Sequence, residues 1–526
     1  MRMLSVMLAV TVMLAGTAGR LAYLMVGEER VAEAVLSQTT KTVTVTSPRG
    51  TFFDRNGQPM VNTQTRTLAV LPPTVAAVTA VTEQLSGETA AAALAKMKSG
   101  NPAVVEVPST FSCDDALRFT VPVRYTDAQS AVHWLGYLDG SGHGVTGLEA
   151  AFDAWLSDEA PLTVTYTVDA LGRPLSGLKA EVSGSAEPQR GVLLTLDNRI
   201  QRLAETAAES LETGAVLVME SSTGHILAAV SRPGFSPLNV AAALNGEGAP
   251  LVDRTLSSYN VGSVFKLCVA AAALKAGISP QRTSTCTGSV RVGDNLFHCH
   301  LHTGHGTLDM TGALAASCND YFIELGLSVG GSAILDMGTR LGFNRAYSLV
   351  DTLTAAAGTF PSAQTLASQP AAVANLSFGQ GDLMLSPLHV ATMVAAIANG
   401  GWLVTPTLVA GTVENGVTQH VRESQPYRAM TEEQAAQLRR MMLEVVASGT
   451  GQAAQPESGL AGGKTATAET GWVKDGRTIQ QAWFTGFWPE EGTYSVVVLC
   501  EDGSGGAADC APVFKALVDA MAEEGF

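Results

Sequence analysis

The chain has 526 residues, of which 46% are hydrophobic and 15% charged, so it can bury substantial cores and is far from disorder. Aromatics make up only 6%, so those cores must be built from Ala, Val and Leu more than from rings. A formal net charge of -16 argues against a nucleic-acid partner, because phosphate binding needs clustered Lys and Arg.

Met3 to Gly19 contains no charged residue, and apolar character resumes after Arg20 in Leu21 to Val26. The first polar cluster is Glu28, Glu29 and Arg30. Such a stretch lies between a signal-peptide core and a spanning helix. Arg20 can snorkel to an interface, which favours an anchor over residues 1–26. Gly16-Thr17-Ala18 offers the small residues of a cleavage site, which is the alternative. Either way the bulk of the chain is exported, with Arg2 keeping the amino terminus inside.

From Thr40 to Gln64 the chain is polar and β-prone, with a turn at Asp54-Arg55-Asn56-Gly57. Residues 74–98 are rich in Ala and Thr and predict a helix, as does the run from Gly147 to Leu156. Leu162 to Val168 alternates as a strand does. A boundary is placed near 190, before an amphipathic helix with Asp197 as its N-cap. Residues 27–190 then form one domain and 191–526 another.

Beyond the boundary, Ala215 to Glu220 and Ile226 to Ser231 predict a hairpin. Helices follow near 264–276, 308–316 and 387–399. Three strands at 463–469, 482–488 and 494–500 precede a last helix from Pro512 to Met521. Two strands early and three late predict one antiparallel sheet whose ends meet in space.

Ser263-Val264-Phe265-Lys266 falls where a helix begins, so Ser263 and Lys266 share one face. A serine hydroxyl is a weak nucleophile until a base takes its proton, and a desolvated lysine can be that base. Alone the pair is weak, since Ser176-Gly177-Leu178-Lys179 has the same spacing in a turn-like region. The discriminating feature is the ordered set. Ser317-Cys318-Asn319 follows an Ala-rich helix, and Gly462-Gly463-Lys464-Thr465-Ala466-Thr467 lies on a strand.

This set resembles the class B penicillin-binding proteins. Supporting segments are also similar to that family: Arg49-Gly50 with Asp54 to Gly57, Gly147-Leu148-Glu149, Asp169 to Arg173, Phe378-Gly379-Gln380-Gly381, Ser386-Pro387 and Gly449-Thr450-Gly451. The resemblance implies an α+β, β-lactamase-like transpeptidase domain, with a central antiparallel sheet flanked by helices. It also implies an N-terminal pedestal, of dimerisation type, and a single membrane-anchor helix. The implied activity is D,D-transpeptidation of D-Ala-D-Ala stem peptides through an acyl-enzyme on Ser263, with acylation by β-lactams. Lys266 is then the acylation base, Ser317 the proton relay and Lys464 its electrostatic support. Asn319, Thr465 and Thr467 bind substrate, and the N–H groups of Ser263 and Thr467 form the oxyanion hole.

The resemblance implies no cofactor. Its partners are stem peptides, lipid-linked precursor strands, β-lactams, the membrane and a glycosyltransferase or a division, elongation or sporulation protein. A catalytic domain outside the cell membrane is expected. A β-lactamase or β-lactam sensor shares the motifs but does not need the long pedestal. A non-catalytic scaffold does not need five intact motif residues.

The third motif reads Lys-Thr-Ala where the family usually has Gly. Strand alternation puts Ala466 on the face of Lys464, hence towards the cleft. No metal site is expected. His298, His300 and His302 would share a side of a strand near His305, but no carboxylate or second cysteine is placed to complete a set. Cys318 is expected to be a small packing residue. Cys286 with Cys299, and Cys500 with Cys510, could be bridged after export.

Overall fold

The computed structural model describes residues 2–26, 39–175, 177–422, 424–474 and 476–526. Helix α1 (Arg2–Val26) is long and apolar enough to cross a membrane, with its window Ser5–Tyr23 wholly exposed.

The chain folds into two compact units. The first holds residues up to 50, 62–124 and 157–189; the second holds 51–61, 125–156 and 190–526. Two stretches assigned to the pedestal on sequence therefore belong to the second unit. The first residues of that expected domain, 27–38, lie outside the described ones.

The first unit contains two three-stranded antiparallel sheets. One orders β1 (Thr40–Thr46) beside β5 (Leu162–Thr167) and β6 (Glu181–Ser183). The other is centred on β2 (Gln64–Leu71), between β3 (Ala103–Val107) and β4 (Leu117–Val123). The single helix expected over 74–98 is two, α2 (Val75–Gln84) and α3 (Gly87–Lys98). The break falls where Leu85 and Ser86 are extended and Gly87 takes a φ of +66°.

In the second unit, α4 (Asn198–Ala207) opens on Asp197, whose carboxylate accepts from the Arg199 and Ile200 N–H groups. Strands β7 (Gly214–Glu220) and β8 (Ile226–Arg232) form the expected hairpin. Then come α5 (Lys266–Lys275), α6 (Met310–Ala315), α7 (Asn319–Val329), α8 (Pro387–Ala398) and α9 (Glu432–Ala447). Strands β9 (Gly462–Lys474), β10 (Arg477–Trp488) and β11 (Tyr494–Glu501) precede α10 (Ala511–Glu523).

The five strands make one antiparallel sheet in the order β8-β7-β11-β10-β9. Its period of two sorts the side chains. Val216, Val218, Phe484, Val496 and Val498 meet Ile200 and Ala204 of α4 and Phe514 and Val518 of α10. Leu217, Met219, Trp483, Val497 and Leu499 face the larger core with α5, α8 and α9. Helix α5 is apolar almost all round and buried from Lys266 to Leu274, as a central helix must be. Both sheet faces are covered, and β9 remains at an edge.

Candidate active site

Ser263 lies in a 3-10 turn, Gly262–Phe265, that runs directly into α5. Asn260 ties the approach to β10: its N–H donates to Gln481 Oε1 at 2.6 Å, and its carbonyl accepts from Trp483 Nε1 at 2.9 Å. The Gly262 N–H donates to Gly379 O at 3.1 Å. Gly379, at a φ of +82°, comes so close that a Cβ there would lie 1.8 Å from Gly262 O. The Phe378-Gly379-Gln380-Gly381 segment thus supports the serine loop from beneath.

Lys266, one turn on, is fully buried. Its Nζ donates to Ser317 O at 2.6 Å and Asn319 Oδ1 at 2.8 Å, with a longer approach to Ser317 Oγ at 3.4 Å. A neutral amine has two N–H bonds and one lone pair, so the two amide carbonyls use both hydrogens and leave the lone pair available. Burial lowers this amine to about 7, against the opposing pull of Cys318, Cys299 and Asp320. Lys464 is also fully buried. Its Nζ donates to Ser317 Oγ at 2.9 Å and Thr465 O at 2.8 Å. Burial first, and then the neighbouring Lys266, hold it well below the usual lysine range.

Ser317 connects the two lysines from a left-handed φ of +51° between α6 and α7. Cys318 caps α7, and Asn319 begins that helix, its Nδ2 donating to His298 O at 3.2 Å. Thr465 Oγ1 shares a 2.7 Å hydrogen bond with Thr450 Oγ1, and the Thr450 N–H donates to Ala315 O at 3.0 Å. Gly449-Thr450 therefore ties β9 to the end of α6. Thr467 is exposed, and a Cβ on Gly262 would lie 3.2 Å from Thr467 O. The residue before Ser263 is thus against Thr467, and all seven sequence-predicted residues converge on one end of β9.

Alternation along β9 holds, but its consequence at Ala466 differs from expectation. The Ala466 side chain is only 4% exposed and belongs to the core cluster with Trp483 and Phe487. The face that carries Lys464 to Ser317 is closed by core packing two residues later. In the decoy, Ser176 lies outside the described residues, and Lys179 is exposed.

The reason given for expecting no metal is overturned. The strand Asn295–His298 ends before His300 and His302, so the three histidines share no strand face. The cysteines absent from the neighbouring sequence arrive from elsewhere: the ligand atoms of Cys286, Cys299, His305 and Cys318 lie within 4.8 Å of one another. All seven cysteines are free thiols.

Residues 214–519 match the family described as the penicillin-binding protein transpeptidase domain. The chain is 28% identical over 422 residues to Stage V sporulation protein D of Bacillus subtilis, covering 76% of this chain and 62% of that protein. It is 31% identical over 421 residues to the peptidoglycan D,D-transpeptidase PbpA of Mycolicibacterium smegmatis, covering 73% and 81% respectively. Among solved structures, a complex of penicillin-binding protein PBP2 with MreC from Helicobacter pylori is similar in fold, with a TM-score of 0.69 at 21% identity. That match covers 93% of this chain and 99% of the other.

Proposed function

Because the chain belongs to the penicillin-binding protein transpeptidase family, we propose that Ser263 is the nucleophile that cross-links D-Ala-D-Ala stem peptides. Its hydroxyl oxygen attacks the carbonyl of the penultimate D-alanine, and the proton passes to the Lys266 lone pair. Negative charge develops on the carbonyl oxygen and is received by the N–H groups of Ser263 and Thr467. Collapse breaks the peptide bond. The departing D-alanine amine takes a proton through Ser317, whose hydroxyl Lys464 supports. The acyl group stays on Ser263 until the amine of a second stem peptide displaces it. Thr465 and Thr467 hold the substrate carboxylate. Asn319 orients Lys266 through Oδ1 and can meet the peptide as it enters.

The observation that carries this reading is the bonding of Lys266: both hydrogens of a neutral amine are taken by amide carbonyls, in a buried setting that favours the neutral form. Helix α1 serves as the anchor, with the catalytic unit on the extracytoplasmic side among nascent peptidoglycan strands. Other proteins of the wall-building machinery are its partners. A fluorescent penicillin labels one peptide, the one containing Ser263, and Ser263→Ala abolishes labelling. Persistent labelling of that variant refutes the assignment. Rapid release of hydrolysed penicillin from the wild type points to a β-lactamase instead.

A further inference from the structure

We infer that Cys286, Cys299, Cys318 and His305 bind a structural Zn2+ ion beside the catalytic residues. The four come from three places along the chain, with Cys299 and His305 at the two ends of one loop. Cys286 ends the strand Ser284–Cys286, and Cys299 follows the strand Asn295–His298. His305 precedes the strand Gly306–Leu308, and Cys318 caps α7.

Their spacing can be tested against coordination chemistry. Tetrahedral zinc with Zn–S near 2.3 Å and Zn–N near 2.0–2.1 Å needs S–S edges of about 3.8 Å and S–N edges of about 3.5 Å. His305 Nδ1 lies 3.5 Å from Cys286 Sγ and 3.5 Å from Cys299 Sγ. Cys299 and Cys318 have their sulfurs 4.0 Å apart. These three separations therefore match three edges of such a tetrahedron, and all four ligand atoms lie within 4.8 Å of one another. A disulfide needs two sulfurs at about 2.05 Å and has no use for a third thiol and an imidazole at equal range.

Two further features suit thiolates. The Asn319 N–H points at Cys299 Sγ at 3.4 Å, and the Tyr321 N–H at Cys318 Sγ at 3.5 Å, as the supporting hydrogen bonds of thiolate ligands do. The connections are also built to converge. Gly288 and Gly304 adopt φ of +95° and +79°, and a Cβ on either would strike a backbone carbonyl, His302 O at 2.0 Å or Cys286 O at 2.4 Å.

Three soft sulfurs and one imidazole nitrogen select zinc among common divalent ions. Four protein ligands complete its shell, so the ion is structural rather than catalytic. Binding displaces one proton from each thiol to solvent. The ion would tie the 286–305 segment to the Ser317-Cys318-Asn319 turn, and so hold Ser317 in its left-handed conformation.

The test uses the full chain in detergent, purified reduced, without oxygen or chelator. Plasma mass spectrometry should find one zinc per chain. Exchange for Co2+ should give thiolate-to-metal charge transfer and the visible bands of tetrahedral cobalt. Cys286→Ser and His305→Ala should weaken zinc more than about tenfold in competition with a chromophoric chelator, whereas Cys500→Ser should not. Metal content and cobalt spectrum are read without any acylation assay, so this inference and the catalytic assignment fail separately. Wild-type protein that takes up neither ion after full reduction overturns it, as does a Cys299–Cys318 disulfide whose reduction restores no metal binding. If a variant does not fold, the wild-type cobalt spectrum decides alone: six-coordinate cobalt without sulfur charge transfer refutes the site.

Discussion

Gly379 offers the sharpest separation between holding the serine loop and merely folding. In Gly379→Ala, the new methyl meets Gly262 O at 1.8 Å, in a backbone conformation with φ +82°. The loop must move by about 1.2–1.6 Å to reach ordinary contact. Displacements of about 1 Å at a reacting centre cost on the order of 100-fold in rate. The left-handed conformation adds about 1–2 kcal/mol of instability. Gly381→Ala is the matched control, since its φ is +83° but its Cβ would meet nothing nearer than Asn375 Cβ at 3.7 Å. Both variants should unfold at lower temperature. Only Gly379→Ala should lose about 100-fold in the second-order rate of acylation by a fluorescent penicillin, followed by stopped flow. Wild-type acylation by Gly379→Ala, or equal losses in both, would refute the claim that this contact positions Ser263.

Ala466→Gly should lower stability by about 1–2 kcal/mol, the loss of a buried methyl plus the freedom of glycine in a strand, as read by thermal unfolding. It should change acylation by large and small β-lactams alike by less than about twofold, because a methyl buried in the core shapes neither. Acylation should fall about tenfold per pH unit below about 7, and level off above it, as Lys266 changes from ammonium to amine. A pH-rate profile without that break counts against Lys266 as the base. Lys266→Met should cost about 100- to 10,000-fold in acylation and should lower the melting temperature, since Ser317 O and Asn319 Oδ1 lose their buried donor. Thr450→Val should weaken the acylation of Ser263 by anionic β-lactams about tenfold through a raised binding constant, because it leaves Thr465 Oγ1 without its 2.7 Å partner.

The parts readable from sequence were those with short-range signatures. The hairpin of β7 and β8, the three late strands and the Asp197 cap each follow from alternation or a capping residue. Ser263 and Lys266 are one helical turn apart, so their pairing needs no tertiary knowledge. What escaped was decided by packing between distant segments. Residues 51–61 and 125–156 pack with the second unit although nothing in their composition marks them. Alternation gave the face of Ala466 correctly, but only the packing of Trp483 and Phe487 shows that this face is core rather than cleft. The cysteine cluster escaped for the same reason. Its members stand in three separate segments without CxxC spacing, and the glycine geometry that brings those segments together has no linear pattern.

The sheet is assembled from the two ends of its domain: β7 and β8 finish at Arg232, and β9 begins only at Gly462. Pairings so remote in sequence form slowly, because loop closure must precede any gain from them. A chain delivered amino terminus first therefore exposes Ser263 and Lys266 well before β9 can bring Lys464 to them. During that interval Ser317 lacks its 2.9 Å bond from Lys464, and Thr467 is not yet beside Gly262. The site is thus incomplete while the chain is being delivered, and is assembled only when its last strands have entered the sheet.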